Sequence, residues 1–464
     1  MAKPKHTIPV RGGDKLELTV ETQGSSGDGI CRHEGYTLFV PGGLPGDRIF
    51  AEVTKTTPRF GVLRVIERRA DSPDRVVPPC PVFNKCGGCK LQDLKYEKQV
   101  EFKAGVVADA LKHIAGIDAP SIRSIPAERT YHYRNKGSFA VQKQSGFLRI
   151  GFFKQGSHEV VGTERCDILP DRVNLAKEWM RDILIKHRVS VYDEQKHSGF
   201  LRELVIRHSA TSDEVLIGLI TTEGTFPNEF LADIKSKNAL DRLRVCGIVQ
   251  NINPEKTNVI LGKETRVLWG AGVLNEVLGD LKFRLSLTSF FQIHPEQTIR
   301  LYDTISEWTK GSTGRVLDAY CGVGAISLWL GKSGLSVVGI EESPQAVEDA
   351  KNSARLNGID SCDFLNGTVE EYIGKFNGGC DVETVILDPP RKGCSEEVLK
   401  VVSAMAPQRI IYVSCNPSTL ARDLGRLEGY RIGDLAVIDL FPQTQHVETA
   451  VLLVPADASN TENV

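Results

Sequence analysis

The 464-residue sequence contains no apolar stretch that approaches the roughly 20 residues a membrane-spanning helix needs. Residues 1–20 carry charges every few positions and no apolar core, which argues against a secretory signal. Internal repeats are also absent. These absences predict a cytoplasmic protein without a membrane partner, and nothing in the sequence indicates an obligate protein partner.

Neither sign of charge predominates. The net charge of -2 shows no overall excess of positive charge, which nucleic-acid-binding proteins often have. Any positively charged surface for nucleic acid must therefore be local. A content of 41% hydrophobic and 25% charged residues is ordinary for a globular protein, and the length suits two or three domains of roughly 100–200 residues each. Without an export signal, the eleven cysteines argue against a disulfide framework, so they are core residues, metal ligands or nucleophiles.

Residues 1–70 contain short predicted strands separated by glycine-rich turns, which indicates a small β-barrel of OB-like type. The predicted strands are 16–21, 36–40, 48–55 and 61–69. The last two carry basic residues on either side of Phe60, a combination that suits a surface tracking a nucleic-acid backbone or, equally, a solvated strand face. These basic residues are Lys55, Arg59, Arg64, Arg68 and Arg69.

The rest of the chain divides into two further predicted domains, which makes the fold class multidomain α/β. Residues 71–290 begin with a proline-rich linker and continue as a central α+β domain with a cysteine cluster. Residues 291–464 carry strands alternating with helices, the pattern of a parallel sheet covered on both faces. The predicted strands there are 315–320, 335–341, 383–390 and 409–417, and the predicted helices are 325–334, 343–358 and 396–406.

Three features at successive strand ends predict a nucleoside-bearing cofactor, because ligands of such sheets bind beyond the carboxyl ends of the strands. A glycine loop follows the first strand at 320–324, Glu341 ends the second, and Asp388 closes the third. An acidic residue placed like Glu341 can accept hydrogen bonds from ribose hydroxyls. The spacing alone does not separate SAM from NAD, although Ser327 occupies the place of the third glycine of GxGxxG.

Cys415 lies directly after an apolar strand and before a helix predicted to begin near Ser418. A helix N-terminus can lower a thiol pKa and make the thiolate available, so Cys415 is a candidate nucleophile; the alternative is a small buried residue. Glu448 follows a polar turn and is either a general base or a solvated strand residue. One reaction needs both groups: thiolate addition to carbon 6 of uracil activates carbon 5 for methylation, and a base then removes the carbon-5 proton.

At these residues the chain resembles the RNA uracil-C5 methyltransferases. The matching segments are LDAYCGVGAISL (317–328), VILDPPRKG (385–393), YVSCNPSTLARDL (412–424), FPQTQHVETAVLL (441–453) and TSFFQIHPEQ (288–297). In addition, GDGICRHEGYTLFVPGGLPGD (27–47) resembles a TRAM domain, an RNA-binding β-barrel.

The resemblance implies a role for each matching residue. It implies that Gln292, Tyr320, Glu341 and Asp388 bind S-adenosyl-L-methionine (SAM). It also implies that Cys415 is the nucleophile and Glu448 the proton acceptor. One position departs from the pattern, because many members have asparagine where this chain has His294.

Four cysteines form a candidate metal centre. Cys80, Cys86 and Cys89 have the spacing C-x5-C-x2-C, and Cys166 is the distant fourth member. Four thiolates suit either zinc or an iron–sulfur cluster. The resemblance implies a [4Fe–4S] cluster with a structural or RNA-orienting role, since the spacing is not the C-x3-C-x2-C of radical SAM enzymes. The remaining cysteines are predicted core or loop residues: Cys31, Cys246, Cys321, Cys362, Cys380 and Cys394.

The predicted substrate is a uridine in RNA that leaves its stack to reach Cys415. The TRAM and cluster resemblance favours 23S rRNA over tRNA. Arg134 and Lys136 are candidate phosphate contacts, or else part of a solvated strand.

Two alternatives to uridine methylation stay open. The first is a methyltransferase for an exocyclic amine, which would have an aromatic residue where Arg391 follows the paired prolines and would leave Cys415 without a role. The second is a non-catalytic RNA-binding protein, which has no need of Cys415, Glu448 and Asp388 together.

Overall fold

The computed structural model describes residues 8–235, 237–257, 259–376 and 382–457. Cys380 and most of the C-terminal tail lie outside these ranges. Within them, no helix has the length and apolar character needed to cross a membrane.

Residues 15–70 form one six-stranded sheet in the order β1-β5-β6-β4-β3-β2. Alternate residues of β4 are buried, so that Tyr36, Leu38 and Val40 enter a core shared with Cys31 and Val53. The strands are β1 (Lys15–Thr19), β2 (Thr22–Gln23), β3 (Gly29–His33), β4 (Tyr36–Val40), β5 (Arg48–Thr56) and β6 (Phe60–Ala70). The sequence prediction missed the two short strands β2 and β3, the second of which begins at a glycine.

Several of the basic residues on this sheet are already paired. Arg64 forms an ion pair with Glu52, and Arg69 approaches Glu17 and Glu67 at 3.6 and 3.3 Å. Exposed pairs of this kind are weak, about 0–1 kcal/mol each, so they hinder phosphate binding only slightly.

Next come a helical segment and then a second sheet. The helical segment is α1 (Tyr96–Ala110), which continues as a π-helical turn over Leu111–Ala115. The second sheet has seven strands in the order β10-β9-β8-β11-β12-β13-β14. Its strands are β8 (Lys136–Gln144), β9 (Phe147–Phe153), β10 (Val160–Gly162), β11 (Leu201–His208), β12 (Val215–Thr221), β13 (Val245–Ile252) and β14 (Glu264–Gly270). The helices that accompany it are α2 (Asp171–Lys186), α3 (Asn228–Asp233) and α4 (Lys237–Leu243), and the hairpin β15 (Val273–Leu278) and β16 (Leu281–Ser286) follows.

The C-terminal part is built on an eight-stranded sheet in the order β19-β18-β17-β20-β21-β23-β22-β7. Its strands are β7 (Arg123–Ile125), β17 (Arg315–Ala319), β18 (Val337–Glu341), β19 (Cys362–Asn366), β20 (Val382–Leu387), β21 (Arg409–Ser414), β22 (Tyr430–Ile438) and β23 (Glu448–Pro455). The predicted strands β17, β18, β20 and β21 pair in parallel as expected. The strand β23 runs antiparallel to both β21 and β22. This reversal turns the chain back, so that β23 begins where β21 ends.

The helices of this part are α5 (Pro295–Thr309), α6 (Ala325–Gly331), α7 (Pro344–Asn357), α8 (Val369–Ile373), α9 (Glu396–Met405) and α10 (Pro417–Leu424), with a short 3-10 turn at Gly374–Phe376. The prediction for α7 is confirmed at both ends. Ser343 caps its first turn by accepting a hydrogen bond from the Ala346 amide at 3.3 Å, and Gly358 ends it in the left-handed region at φ 64°.

Packing connects α1 with the eight-stranded sheet and its helices. Val107 and Leu111 are fully buried in the same core as Leu420 and Leu424 of α10. The predicted core positions of Cys31, Cys321, Cys362 and Cys394 are confirmed, and Cys246 is half-buried.

Candidate active site

The candidate residues of the C-terminal part meet at one edge of the eight-stranded sheet. Tyr320 follows β17, Glu341 ends β18, Asp388 follows β20 and Cys415 follows β21. In the antiparallel pair β21–β23, Ser414 lies opposite Thr449. This register brings Cys415, one residue beyond Ser414, beside Glu448, one residue before Thr449.

The loop after β17 leaves room for a ligand against its backbone. Tyr320, Gly322 and Gly324 have φ angles of 69°, 55° and 73°, all in the left-handed region. A Cβ on Gly322 would meet open space, whereas one on Gly324 would lie 2.6 Å from the Phe364 ring. The Glu341 carboxylate accepts the Gly322 amide at 3.1 Å and the Ser343 amide at 2.7 Å, so its orientation is set by the loop it faces.

Three carboxyl groups near these strand ends have little compensation for their burial. Asp318 is fully buried, with one oxygen accepting the Ser327 hydroxyl at 2.5 Å and the other without a hydrogen-bond partner among the described residues. Burial raises the pKa of Asp318 to about 7, and burial together with Asp318 raises the pKa of Asp388 to about 7. Burial and Asp388 hold the pKa of Glu448 well above its usual range, and Arg391 opposes them.

Cys415 is half-buried among these charged groups. Burial, followed by the nearby Glu448 carboxyl, raises the pKa of the thiol. The nearby Arg391 guanidinium acts in the opposite direction and lowers this pKa. The sequence led us to expect a lowered pKa from the helix N-terminus, whereas burial and Glu448 raise the pKa in the free protein.

The turn that carries Cys415 is tied to the loop that carries Arg391. Asn416 caps α10 by accepting the Ser418 amide at 3.1 Å, and its side-chain nitrogen donates to the Arg391 carbonyl at 3.0 Å. Thr419 donates to the same carbonyl at 3.3 Å. The backbone of Arg391 is therefore tied to the turn that carries Cys415.

A cavity of about 900 Å³ opens in front of Cys415. Arg391, Gln445 and His446 line it beside the thiol, α1 forms its opposite wall, and Glu21–Ser25 of the N-terminal sheet reach its rim. Burial, together with Arg391, lowers the pKa of His446 to about 4, so this imidazole is neutral at pH 7. A volume of this size suits a nucleoside-sized ligand.

Gln292 and His294 lie in the turn before α5. Gln292 is buried, and its carbonyl accepts the Asn135 side chain at 3.2 Å. His294 is fully enclosed, stacks on Tyr133 at 4.6 Å between ring centroids and contacts the Arg129 carbonyl at 3.1 Å. His294 therefore has a packing role.

The two candidate phosphate contacts differ. Burial lowers the pKa of Lys136 to about 7, which argues against a phosphate contact there. Arg134 is half-buried and donates to the Lys136 carbonyl at 2.9 Å. Its predicted contact with RNA stays a prediction.

The four cysteines of the candidate metal centre lie close together. Besides burial, which acts first, neighbouring cysteines contribute to the raised pKa values of Cys86, Cys89 and Cys166. The Gly87 amide donates to the Phe153 carbonyl at 2.9 Å. A Cβ at position 87 would also lie 2.9 Å from that oxygen, which is too close for a side chain without a local shift. Within the described ranges, however, no three His, Cys, Asp or Glu side chains form a group that could hold a metal ion.

Sequence reasoning missed three groups at this site. Asp318, Arg391 and His446 all stand within the motifs quoted for the resemblance, so position in a motif was the available signal. Their roles depend on long-range packing, which spacing along the chain does not report.

Comparisons with known proteins agree with this architecture. The family model described as tRNA (Uracil-5-)-methyltransferase matches residues 95–456, and the TRAM domain model matches residues 9–62. An uncharacterized RNA methyltransferase of Halalkalibacterium halodurans is 39% identical over 97% of this chain and 99% of its own length. A Bacillus cereus protein of the same description is 38% identical over 97% of this chain and 98% of its own.

One solved structure is similar over most of both chains. It is the Pyrococcus abyssi tRNA (uracil-54, C5)-methyltransferase in complex with S-adenosyl-L-homocysteine. Its TM-score is 0.78 at 30% identity, and the match covers 94% of this chain and 99% of that one.

The fold and the strand-end site define a SAM-dependent RNA methyltransferase with an N-terminal TRAM domain. The chain belongs to the tRNA (uracil-5-)-methyltransferase family and is an RNA (uracil-C5)-methyltransferase.

Proposed function

We propose that this enzyme methylates carbon 5 of a uridine through a transient bond between Cys415 and carbon 6, with Glu448 as the general base. The observation that carries the proposal is the β21–β23 register, which brings the thiol and the carboxyl group together beside Asp388 and Arg391. An enzyme acting on an exocyclic amine would have no use for this pair.

The residues support a division of roles. Arg391 stabilises the Cys415 thiolate that remains when the thiol proton passes to solvent. The sulfur electron pair forms the bond to carbon 6, and the C5=C6 π pair moves into an enolate that includes the carbon-4 oxygen. The electron pair of this enolate then forms the bond from carbon 5 to the methyl group that SAM would supply, as the sulfur–methyl bond breaks and S-adenosyl-L-homocysteine leaves. Glu448 then removes the carbon-5 proton, and the electrons of the C–H bond restore the C5=C6 double bond while the C–S bond breaks and returns the thiolate.

The SAM site that we propose consists of Gln292, Tyr320, Glu341 and Asp388. The space beside Gly322 and the fixed carboxylate of Glu341 suit a ribose with two hydroxyls. The enclosed carboxyl groups of Asp388 and Asp318 suit a ligand with positive charge, because a nearby cation would stabilise their ionised forms.

A [4Fe–4S] cluster on Cys80, Cys86, Cys89 and Cys166 is part of the proposal. Four neighbouring free thiols provide the donor set for it. Anaerobically purified protein should be brown with sulfur-to-iron absorption, and a colourless protein with one zinc would contradict the cluster.

We propose 23S rRNA as the substrate, on the combination of the TRAM domain and the cysteine cluster. tRNA is the second candidate, because the similar Pyrococcus abyssi enzyme acts on uracil 54 of tRNA. Mapping 5-methyluridine in both RNAs from a gene-deletion strain separates the two. Loss of a 23S rRNA site is expected, and loss confined to tRNA would contradict the rRNA assignment.

A further inference from the structure

The segment between β22 and β23 leads directly into Glu448, which is the first residue of β23. Near its middle, Gln443 has a φ of 69° and is only 3% exposed. A left-handed conformation is unfavourable for a residue with a side chain. Such a conformation persists only where the surrounding structure holds it.

Gln99 of α1 supplies the main restraint on Gln443. Its Oε1 accepts the Gln443 amide at 2.9 Å, and its Nε2 lies 3.0 Å from the Gln443 Oε1. The same Nε2 donates to the Leu91 and Leu94 carbonyls at 2.8 and 2.9 Å. Gln99 is 1% exposed, so no water replaces these bonds if the side chain is removed.

The segment after Cys89 holds the other side of Gln443. The amides of Lys90 and Leu91 both donate to the Gln443 carbonyl, at 3.1 and 3.0 Å. Tyr133 donates its hydroxyl to the neighbouring Pro442 carbonyl at 3.0 Å. Hydrogen bonds thus hold the backbone of this turn at the Gln443 amide and at the Pro442 and Gln443 carbonyls.

We propose that Gln99 is a positioning residue for the Glu448 base, and that it acts through the left-handed turn at Gln443. The inference rests on the proposed function of Glu448. Without Gln99 the buried Gln443 amide loses its acceptor, the turn relaxes toward an ordinary conformation, and Glu448 moves relative to carbon 5. Formation of the Cys415 adduct and methyl transfer do not require Glu448, so the release step should slow the most.

The test compares Gln99→Met with Glu448→Gln, using full-length enzyme, SAM and RNA that contains ordinary uridine. Covalent enzyme–RNA complexes are counted on denaturing gels, and turnover is followed by tritium release from carbon 5. Glu97→Met is the matched control, because it places the same side chain on the exposed face of α1. Thermal unfolding identifies any variant that does not fold.

For Gln99→Met, kcat should fall on the order of 100-fold while the covalent methylated complex accumulates at least ~10-fold over wild type, as expected for loss of a general base. The KM for SAM should stay within about threefold. Lower turnover without accumulation, unchanged turnover, or accumulation in Glu97→Met as well would overturn the inference. If Gln99→Met does not fold, Tyr133→Phe is tested by the same assay. We expect the covalent complex to accumulate less than in Gln99→Met, and no accumulation would contradict the inference.

The Glu448→Gln variant distinguishes failure of the positioning role of Gln99 from failure of the proposed role of Glu448. If Glu448→Gln traps RNA and Gln99→Met does not, the positioning role is wrong and the proposed function stands. If Glu448→Gln also fails to trap RNA, the proposed role of Glu448 is wrong, and the positioning role falls with it.

Discussion

Two regions of the protein hold carboxyl groups away from solvent with different partners. Asp47 is buried in the turn before β5, whereas at the strand ends Glu448 is buried and Asp388 is half-buried. Asp47 accepts the Leu44 and Ser72 amides at 2.8 Å each and pairs with Arg75 at 2.5 Å. Burial opposes its ionisation, yet the Arg75 side chain and these amides together lower its pKa. Burial raises the pKa values of both Asp388 and Glu448, and Asp388 adds to the rise at Glu448.

The difference separates a structural carboxylate from a reactive one. Asp47 joins the N-terminal sheet to the segment that leads to α1, and its charge is fully compensated. Asp388 and Glu448 lack that compensation until a substrate or SAM supplies it. Perturbed carboxyl groups of this kind concentrate at functional sites.

The largest expected effect comes from Glu448→Gln. Loss of the base should lower turnover by about 10²–10⁴-fold, roughly 3–5 kcal/mol in the barrier to release. The folded state should be no less stable, because the amide removes an unfavourably buried carboxyl group. Tritium release and thermal unfolding measure the two quantities. Unchanged turnover would show that Glu448 resembles Asp47 in being structural.

Asp388→Asn should change stability in a pH-dependent way. The pKa of Asp388 is raised, so the wild-type residue contributes stability below about pH 4 and loses it as pH rises through about 7. In the absence of SAM, the variant should therefore exceed wild type by on the order of 3 kcal/mol at pH 8, and the gap should close near pH 4. Chemical unfolding at a series of pH values measures this, and a gap that does not vary with pH would contradict the assignment.

Asp47→Asn should have the opposite sign and a smaller size. The depressed pKa of Asp47 gives stability that is present above about pH 4 and is lost as pH falls through the lower folded value. At pH 7 the variant should lose about 2 kcal/mol, since an amide leaves part of the set of donors around Asp47 unsatisfied. Urea unfolding at pH 7 and pH 3 tests this, and equal losses at both pH values would argue against the charged pair.

Sequence patterns predicted the strand ends well and their mutual geometry poorly. The helix Pro344–Asn357 followed from a serine cap, a proline and a terminal glycine, which are local signals. The approach of Glu448 to Cys415 depends on an antiparallel register between β21 and β23, and no local pattern encodes it. Gln99 and Gln443 are 344 residues apart, so no local sequence pattern indicates that they are in contact.

The pKa of Cys415 shows the same limit. A cysteine before a helix predicts a lowered value, and that signal is present in the sequence. Enclosure by the cavity and the nearby Glu448 reverse the direction, since both depend on tertiary structure.

The covalent bond between Cys415 and the pyrimidine is tested most directly with RNA that carries 5-fluorouridine at the target site. Fluorine cannot leave carbon 5 as a proton does, so wild-type enzyme with SAM should form a complex that survives denaturation. Cys415→Ala should form none. A stable complex with Cys415→Ala, or tritium release by that variant at the wild-type rate, would contradict the mechanism.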